Sequence, residues 1–147
     1  MDPDEIIDSL VNKYPGIKVI YAWGETSLFY NPNSQLSRGV YFATIKEKDG
    51  KNDRASNLDR DGIFRLNVGT SKDIFFNCFG KPPSRPKKGC VIQGKWDFTA
   101  INRLMPHPVY GWMSWVAVNN PDVDMLNGLA PVLDAAYQKA ISSYLKR

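Results

Sequence analysis

Ile6, Ile7, Leu10, Val11 and Tyr14 recur at the three- and four-residue spacing of a helix with one apolar face. The residues before them supply its start. Asp2 can cap, Pro3 suits the first helical position, and Glu5 stands where a capping box places its carboxylate. Pro15-Gly16 stops it. From there the period changes to two. Ile17, Val19, Tyr21 and Trp23 alternate with Lys18, Ile20 and Ala22, and Gly24-Glu25 separates this run from a second at 27–30, which predicts a hairpin. Asn31-Pro32-Asn33 breaks the pattern, and 40–45 supplies a third strand. After a charged loop, Phe64, Leu66 and Val68 alternate with Arg65 and Asn67 in a fourth. The apolar set is expected to face the core, with Arg65 and Asn67 facing out of it.

Ser71 reads as the cap of a short helix that carries Ile74, Phe75, Cys78 and Phe79 and closes at Gly80. Residues 112–118, aromatic and β-branched, predict a further strand. A closing helix places Leu126, Leu129, Leu133, Tyr137, Ala140, Ile141 and Tyr144 on one face, and Pro131 must either kink it or begin its main segment. No internal repeat is visible. The order of helix, strands, helix, strand and helix predicts an α+β fold: one domain over residues 1–147, an antiparallel sheet flanked by N- and C-terminal helices.

Composition narrows the class. Hydrophobic residues make up 43% and charged residues 23%, the mix of a globular protein with a sizeable core. No apolar run reaches the length of a membrane span, and the first ten residues are acidic where a signal peptide is basic. Cys78 and Cys90 alone make no disulfide framework, so a cytoplasmic location is expected. A net charge of +4 permits an anionic partner without requiring one.

Several motifs come close to known chemistry. Residues 89–96, GCVIQGKW, resemble a phosphate-binding loop, but KPPSRPKK precedes them where a buried strand is needed, and Trp96 occupies the magnesium-ligating Ser/Thr position. Asn57, Asp59, Asp61 and Gly62 match the first half of a calcium loop, but Val68 replaces its final bidentate Glu. A solvated turn is the better reading there, within a stretch at 46–62 that carries five basic and five acidic residues. One His and two distant Cys cannot close a zinc site, so no metal and no cofactor is expected.

Two constellations remain. His107, the only histidine, lies between Pro106 and Pro108, just before a strand with two tryptophans. It is either a general acid or base held in an aromatic pocket or a ring packed in a rigid turn. No Ser or Cys nucleophile is placed beside it, which favours the turn. Lys81, Arg85, Lys87, Lys88 and Lys95 fall within fifteen residues without one acid. They read as a phosphate-contacting loop or as a solvated one, and the lack of interleaved aromatics favours the latter.

The phrases WGETSLFYNP, YFATIKEKDG, LDRDGIFRLNVG and MPHPVYGWMSWVAVNNP resemble, from end to end, a prokaryotic family of small single-domain proteins of unknown function. More remotely, Pro106, Tyr110, Trp115-Val116, Leu133-Asp134 and Tyr137 are similar to a segment of the MmcQ/YjbR-like domains. That resemblance implies a CyaY-like fold and a DNA-binding role. The iron binding of CyaY leans on an acidic first helix, of which Asp2, Asp4, Glu5 and Asp8 are a thin version. Two functions are therefore carried forward. The first is a non-catalytic cytosolic binding module touching nucleic acid through the basic loop. The second is a small-molecule site or enzyme around His107, Trp23, Glu25, Arg65, Tyr110 and Trp112. A pocket with a carboxylate near His107 would favour the second, and a convex basic face the first.

Overall fold

The computed structural model describes residues 1–147. Helix α1 spans Pro3–Lys13 and begins as its sequence requires: the Asp2 carboxylate accepts from the Glu5 N–H at 2.8 Å, and the Glu5 carboxylate accepts from the Asp2 N–H at 3.2 Å. Strands β1 (Ile17–Ala22) and β2 (Glu25–Tyr30) follow as an antiparallel hairpin. Its two-residue turn, Trp23-Gly24, has positive φ at both positions (50° and 75°), the twist that matches paired strands. The remaining elements are β3 (Val40–Lys46), β4 (Arg65–Gly69), α2 (Lys72–Phe79), β5 (Met105–Pro106), β6 (Trp115–Asn119), α3 (Val123–Gly128) and α4 (Ala130–Leu145).

The six strands form one antiparallel sheet in the order β1-β2-β3-β4-β6-β5. This is the α+β architecture expected from the periodicities, with two refinements. Residues 111–113 form a 3₁₀ turn, so the late strand starts at Trp115, and β5 is a two-residue strand with no period to read. Pro131 resolves in favour of a beginning: it sits in the first turn of α4, where its missing N–H leaves no partner unsatisfied. No helix is long and apolar enough to cross a membrane.

Both faces of the sheet are covered, by different materials. On one face Leu28, Ala43, Ile45, Leu66, Val68, Val116 and Val118 meet Ile6, Leu10, Phe75, Leu126, Leu133 and Ala136 of the helices in a single apolar core. On the other, the long connections 47–64 and 80–104 fold back over the sheet. The second of them seats Ile92 and Phe98 on Met105 and Ala117 as a small separate cluster. Connections of this length without helices or strands of their own are uncommon in small domains and usually serve a site.

Candidate functional site

The centre of β4 determines what lies on the loop face. Leu66 and Val68 point to the helices, so Arg65 and Asn67 must point the other way. They do not reach solvent. Arg65 is the largest fully buried side chain in the protein, and Asn67 is 1% exposed.

The guanidinium is satisfied on almost every side. Nε donates to Asn67 Oδ1 at 2.7 Å, and Nη1 donates to Asp53 Oδ1 and Ser56 Oγ, each at 3.0 Å. Nη2 completes a bidentate pair with Asp53 Oδ2 and lies 3.3 Å from His107 Nε2. Asn67 in turn donates from Nδ2 to Thr44 Oγ1 at 3.0 Å. Burial pushes the Asp53 carboxyl up, but the hydrogen bonds and charge of Arg65 outweigh it and hold the group below the usual range.

His107 closes this network. Its backbone is fixed by flanking prolines, by donation of its N–H to the Trp115 carbonyl (2.9 Å), and by the Gly111 N–H bonding its carbonyl (2.9 Å). Ring Nδ1 accepts from the N–H groups of Val109 (3.1 Å) and Tyr110 (3.0 Å). The ring is only 3% exposed. Burial, and then the Arg65 charge, depress its pKa well below the usual value, with Asp53 opposing more weakly. The imidazole is therefore neutral near pH 7, and two donors on Nδ1 leave its one hydrogen on Nε2. Nε2–H and Arg65 Nη2 thus approach each other as two donors. Neither satisfies the other.

Above them opens a cleft of about 710 Å³, lined by 21 residues that include His107, Asp53 and Thr44. Its aromatic wall is Phe29, Tyr41 and Trp115, with Phe29 and Tyr41 inclined at 46° and 4.5 Å apart between centroids and Trp115 edge-on to Tyr41 at 6.1 Å. The wall depends on Gly69, whose place opposite Trp115 a side chain could not take: a Cβ there would lie 2.8 Å from the indole. Tyr110, 5.0 Å from the imidazole between ring centroids, stands at the rim with half its surface exposed.

Of the residues singled out in the sequence, Glu25, His107 and Tyr110 line the cleft, and Arg65 acts on it from below through Asp53 and His107. Trp23 does not belong to it: it projects from the β1–β2 turn, 93% exposed. Trp112 lies outside as well, on the 3₁₀ turn, with the Arg85 guanidinium 4.9 Å from its ring centroid. Lys81, Arg85, Lys87, Lys88 and Lys95 are exposed on the 80–104 connection and do not line the cleft. Residues 89–96 contain neither strand nor helix, so no phosphate-binding loop forms there. The sequence reading missed Asp53, Ser56, Asn67, Thr44, Lys46, Tyr41 and Trp115. No three His, Cys, Asp or Glu side chains converge as metal ligands.

Over residues 1–147 the chain matches a family model described as a family of unknown function, DUF6194. No curated protein and no solved structure matches it, and nothing in these comparisons links it to the MmcQ/YjbR-like domains. Because the model covers the whole chain, the protein belongs to the DUF6194 family.

Proposed function

We propose that the protein binds a small molecule in the cleft over His107. The supporting observation is the buried imidazole at the floor of an aromatic-walled cleft of about 710 Å³, with Nδ1 taken by two backbone N–H groups and Nε2 beside the Arg65 guanidinium; from this follows an Nε2–H with no acceptor in that contact. A cleft of that size with a few convergent polar groups is the ordinary form of a ligand site.

His107 serves there as a hydrogen-bond donor rather than as a base. Nδ1 is occupied by two backbone donors, and protonation would place a second positive charge beside Arg65. What the arrangement can do is hold, or polarise, an oxygen that settles on Nε2–H, with no reorganisation at the moment of contact. Burial and the Arg65 charge keep the ring neutral, and the N–H groups of Val109 and Tyr110 orient it. The basic loop lies apart from this geometry and adds no group to it.

A thermal-shift screen of small metabolites tests the reading. Hits should stabilise the wild type by about 2.7 kcal/mol at a hundredfold excess over Kd. They should fail to stabilise Val109→Trp, which fills the cleft from a half-buried lining position. Equal stabilisation of both proteins would place the ligand elsewhere and sink the proposal.

A further inference from the structure

We infer that the ligand is a small organic anion: a planar apolar body carrying an acidic oxygen head group, carboxylate or phosphate. This rests on the cleft being the binding site, and it follows from the charges that line it. Arg38, Lys46 and Lys139 face the cleft as cations, Glu25 and Asp53 as acids. Both acids are already engaged. Asp53 takes the bidentate pair with Arg65, and Glu25 lies 3.7 Å from Lys46. Those are the only ion pairs in the protein, so Arg38 and Lys139 have no carboxylate partner.

Lys139 lines the cleft and donates from Nζ to the Thr70 carbonyl at 3.1 Å. The residue as a whole is exposed, but desolvation around its ammonium, and then the Lys72 charge, lower its pKa. A bound anion would raise it again. His107 adds a donor in search of an acceptor, so the unsatisfied groups of the cleft all ask for oxygen and negative charge. A cationic or amine ligand would meet an excess of like charge, with both acidic side chains already paired to cations. Concave, low-dielectric walls strengthen this preference by focusing the field. The planar body follows from Tyr41 and Trp115, whose rings form the apolar wall against which a flat group packs.

Matched pairs of probes separate charge from shape. Titration calorimetry of the full chain would compare benzoate with benzamide and adenosine 5′-monophosphate with adenosine. In at least one pair the anion should bind tighter than its neutral partner by about tenfold or more, the scale of one charge-assisted hydrogen bond. The pair that responds identifies the head group. The double variant Arg38→Gln/Lys139→Gln should erase that preference, so that the anion falls to the affinity of its neutral partner in the same variant.

Neutral partners that bind as tightly as the anions would overturn the inference. The cleft reading would survive that result if Val109→Trp still abolished binding. Failure of both anions to bind at millimolar concentration would overturn it as well, and the wider metabolite screen would then judge the cleft alone. An anion preference that persists in the double variant would move the charge reader away from Arg38 and Lys139 and overturn the inference.

Discussion

Arg65 and Leu66 are neighbours on β4, and neither has any exposed surface. They face opposite sides of the same sheet. Leu66 enters a core assembled from four helices, where neighbours need only be apolar and of the right volume. Arg65 enters a pocket made by the 47–64 connection, Asn67 of its own strand and His107, where each of its N–H groups needs a partner at a particular place. The helix face gains stability in proportion to buried area. The loop face gains little net stability from its ion pair, because removing two charges from water costs about as much as their attraction returns. What the loop face obtains is a fixed arrangement: a neutral imidazole, one hydrogen on Nε2, and a cleft above it. The first face makes the protein fold and the second makes a site.

Breaking the loop face should have the largest effect. Arg65→Ala leaves Asp53, Asn67 and Ser56 without their donor, and it should cost about 3–5 kcal/mol in urea unfolding. The Asp53 side chain keeps 16% of its surface exposed, so water relieves part of the loss and the lower end of that range is expected. Replacing both partners, Arg65→Met with Asp53→Leu, should recover most of the stability while losing the cleft's ligands. If Arg65→Ala costs under about 1 kcal/mol, the network is not the scaffold described here.

Breaking the helix face comes next. Leu66→Ala should cost about 2–5 kcal/mol, depending on how far the core closes on the cavity. On the loop side, Asn67→Ala should cost about 1–3 kcal/mol, because Arg65 Nε and Thr44 Oγ1 both lose a buried partner. The alternation of β4 alone would have predicted a much smaller loss for Asn67. A negligible loss at Asn67 would mean that water reaches this layer and that the two faces differ more than their burial suggests.

Acid should distinguish the faces without any mutation. His107 is the only histidine, and folding holds its pKa well below the 6.5 of an ordinary imidazole. Above about pH 6.5 neither the folded nor the unfolded state binds this proton, and the term is flat. Below it the unfolded chain takes up a proton that the folded one refuses, so stability falls toward a slope of about 1.4 kcal/mol per pH unit. Asp53, depressed from 3.8, acts in the same direction at lower pH: its contribution is present above that value and is lost as the pH falls through the folded pKa. His107→Gln should remove the upper limb of this dependence and leave the lower one. A His107 ring resonance that titrates near 6.5 in the folded protein would refute the neutral, buried imidazole.

How much of this was legible beforehand depends on which physics wrote each part. The helix face obeys period, so Ile6, Leu10, Leu66, Val68 and Leu133 announced themselves, and the caps at Asp2, Ser71 and Gly80 stand as their residue types require. The loop face obeys no period. Arg65 and Asn67 carry the pattern of an exposed strand edge, and only the fold-back of 47–64 buries them. Asp53 belongs to a stretch of balanced charge that reads as solvated, and nothing local distinguishes it from Asp59 or Asp61. His107 stood out because two prolines hold it. Its tautomer depended on the N–H groups of Val109 and Tyr110, which any residue but proline would supply. Trp23 failed for the opposite reason: an aromatic residue looked like pocket lining, while Gly24 beside it already marked a turn that carries it into solvent.

The smallest effect is expected at the rim, and it sharpens where the loop face ends. Lys81, Arg85, Lys87, Lys88 and Lys95 are exposed and form no ion pairs. Replacing all five with Gln takes the formal charge from +4 to −1 (4 − 5 = −1), which inverts the protein's sign without touching the cleft lining. Each change should alter stability by no more than about 0.5 kcal/mol, as exposed substitutions away from caps and networks do. Affinity for a cleft anion should fall only through the lost long-range field, a difference that vanishes at high salt because the Debye length shrinks to about 3 Å at 1 M. Duplex DNA offers the contrasting probe. If the loop alone meets phosphates, five contacts give a slope of log K against log salt no steeper than about −4.5, and the Gln variant should not bind. A steeper slope, or displacement of DNA by a cleft ligand, would bring Arg38 and Lys139 into the same surface. The cleft and the loop would then be one continuous anion site instead of two regions built for different partners.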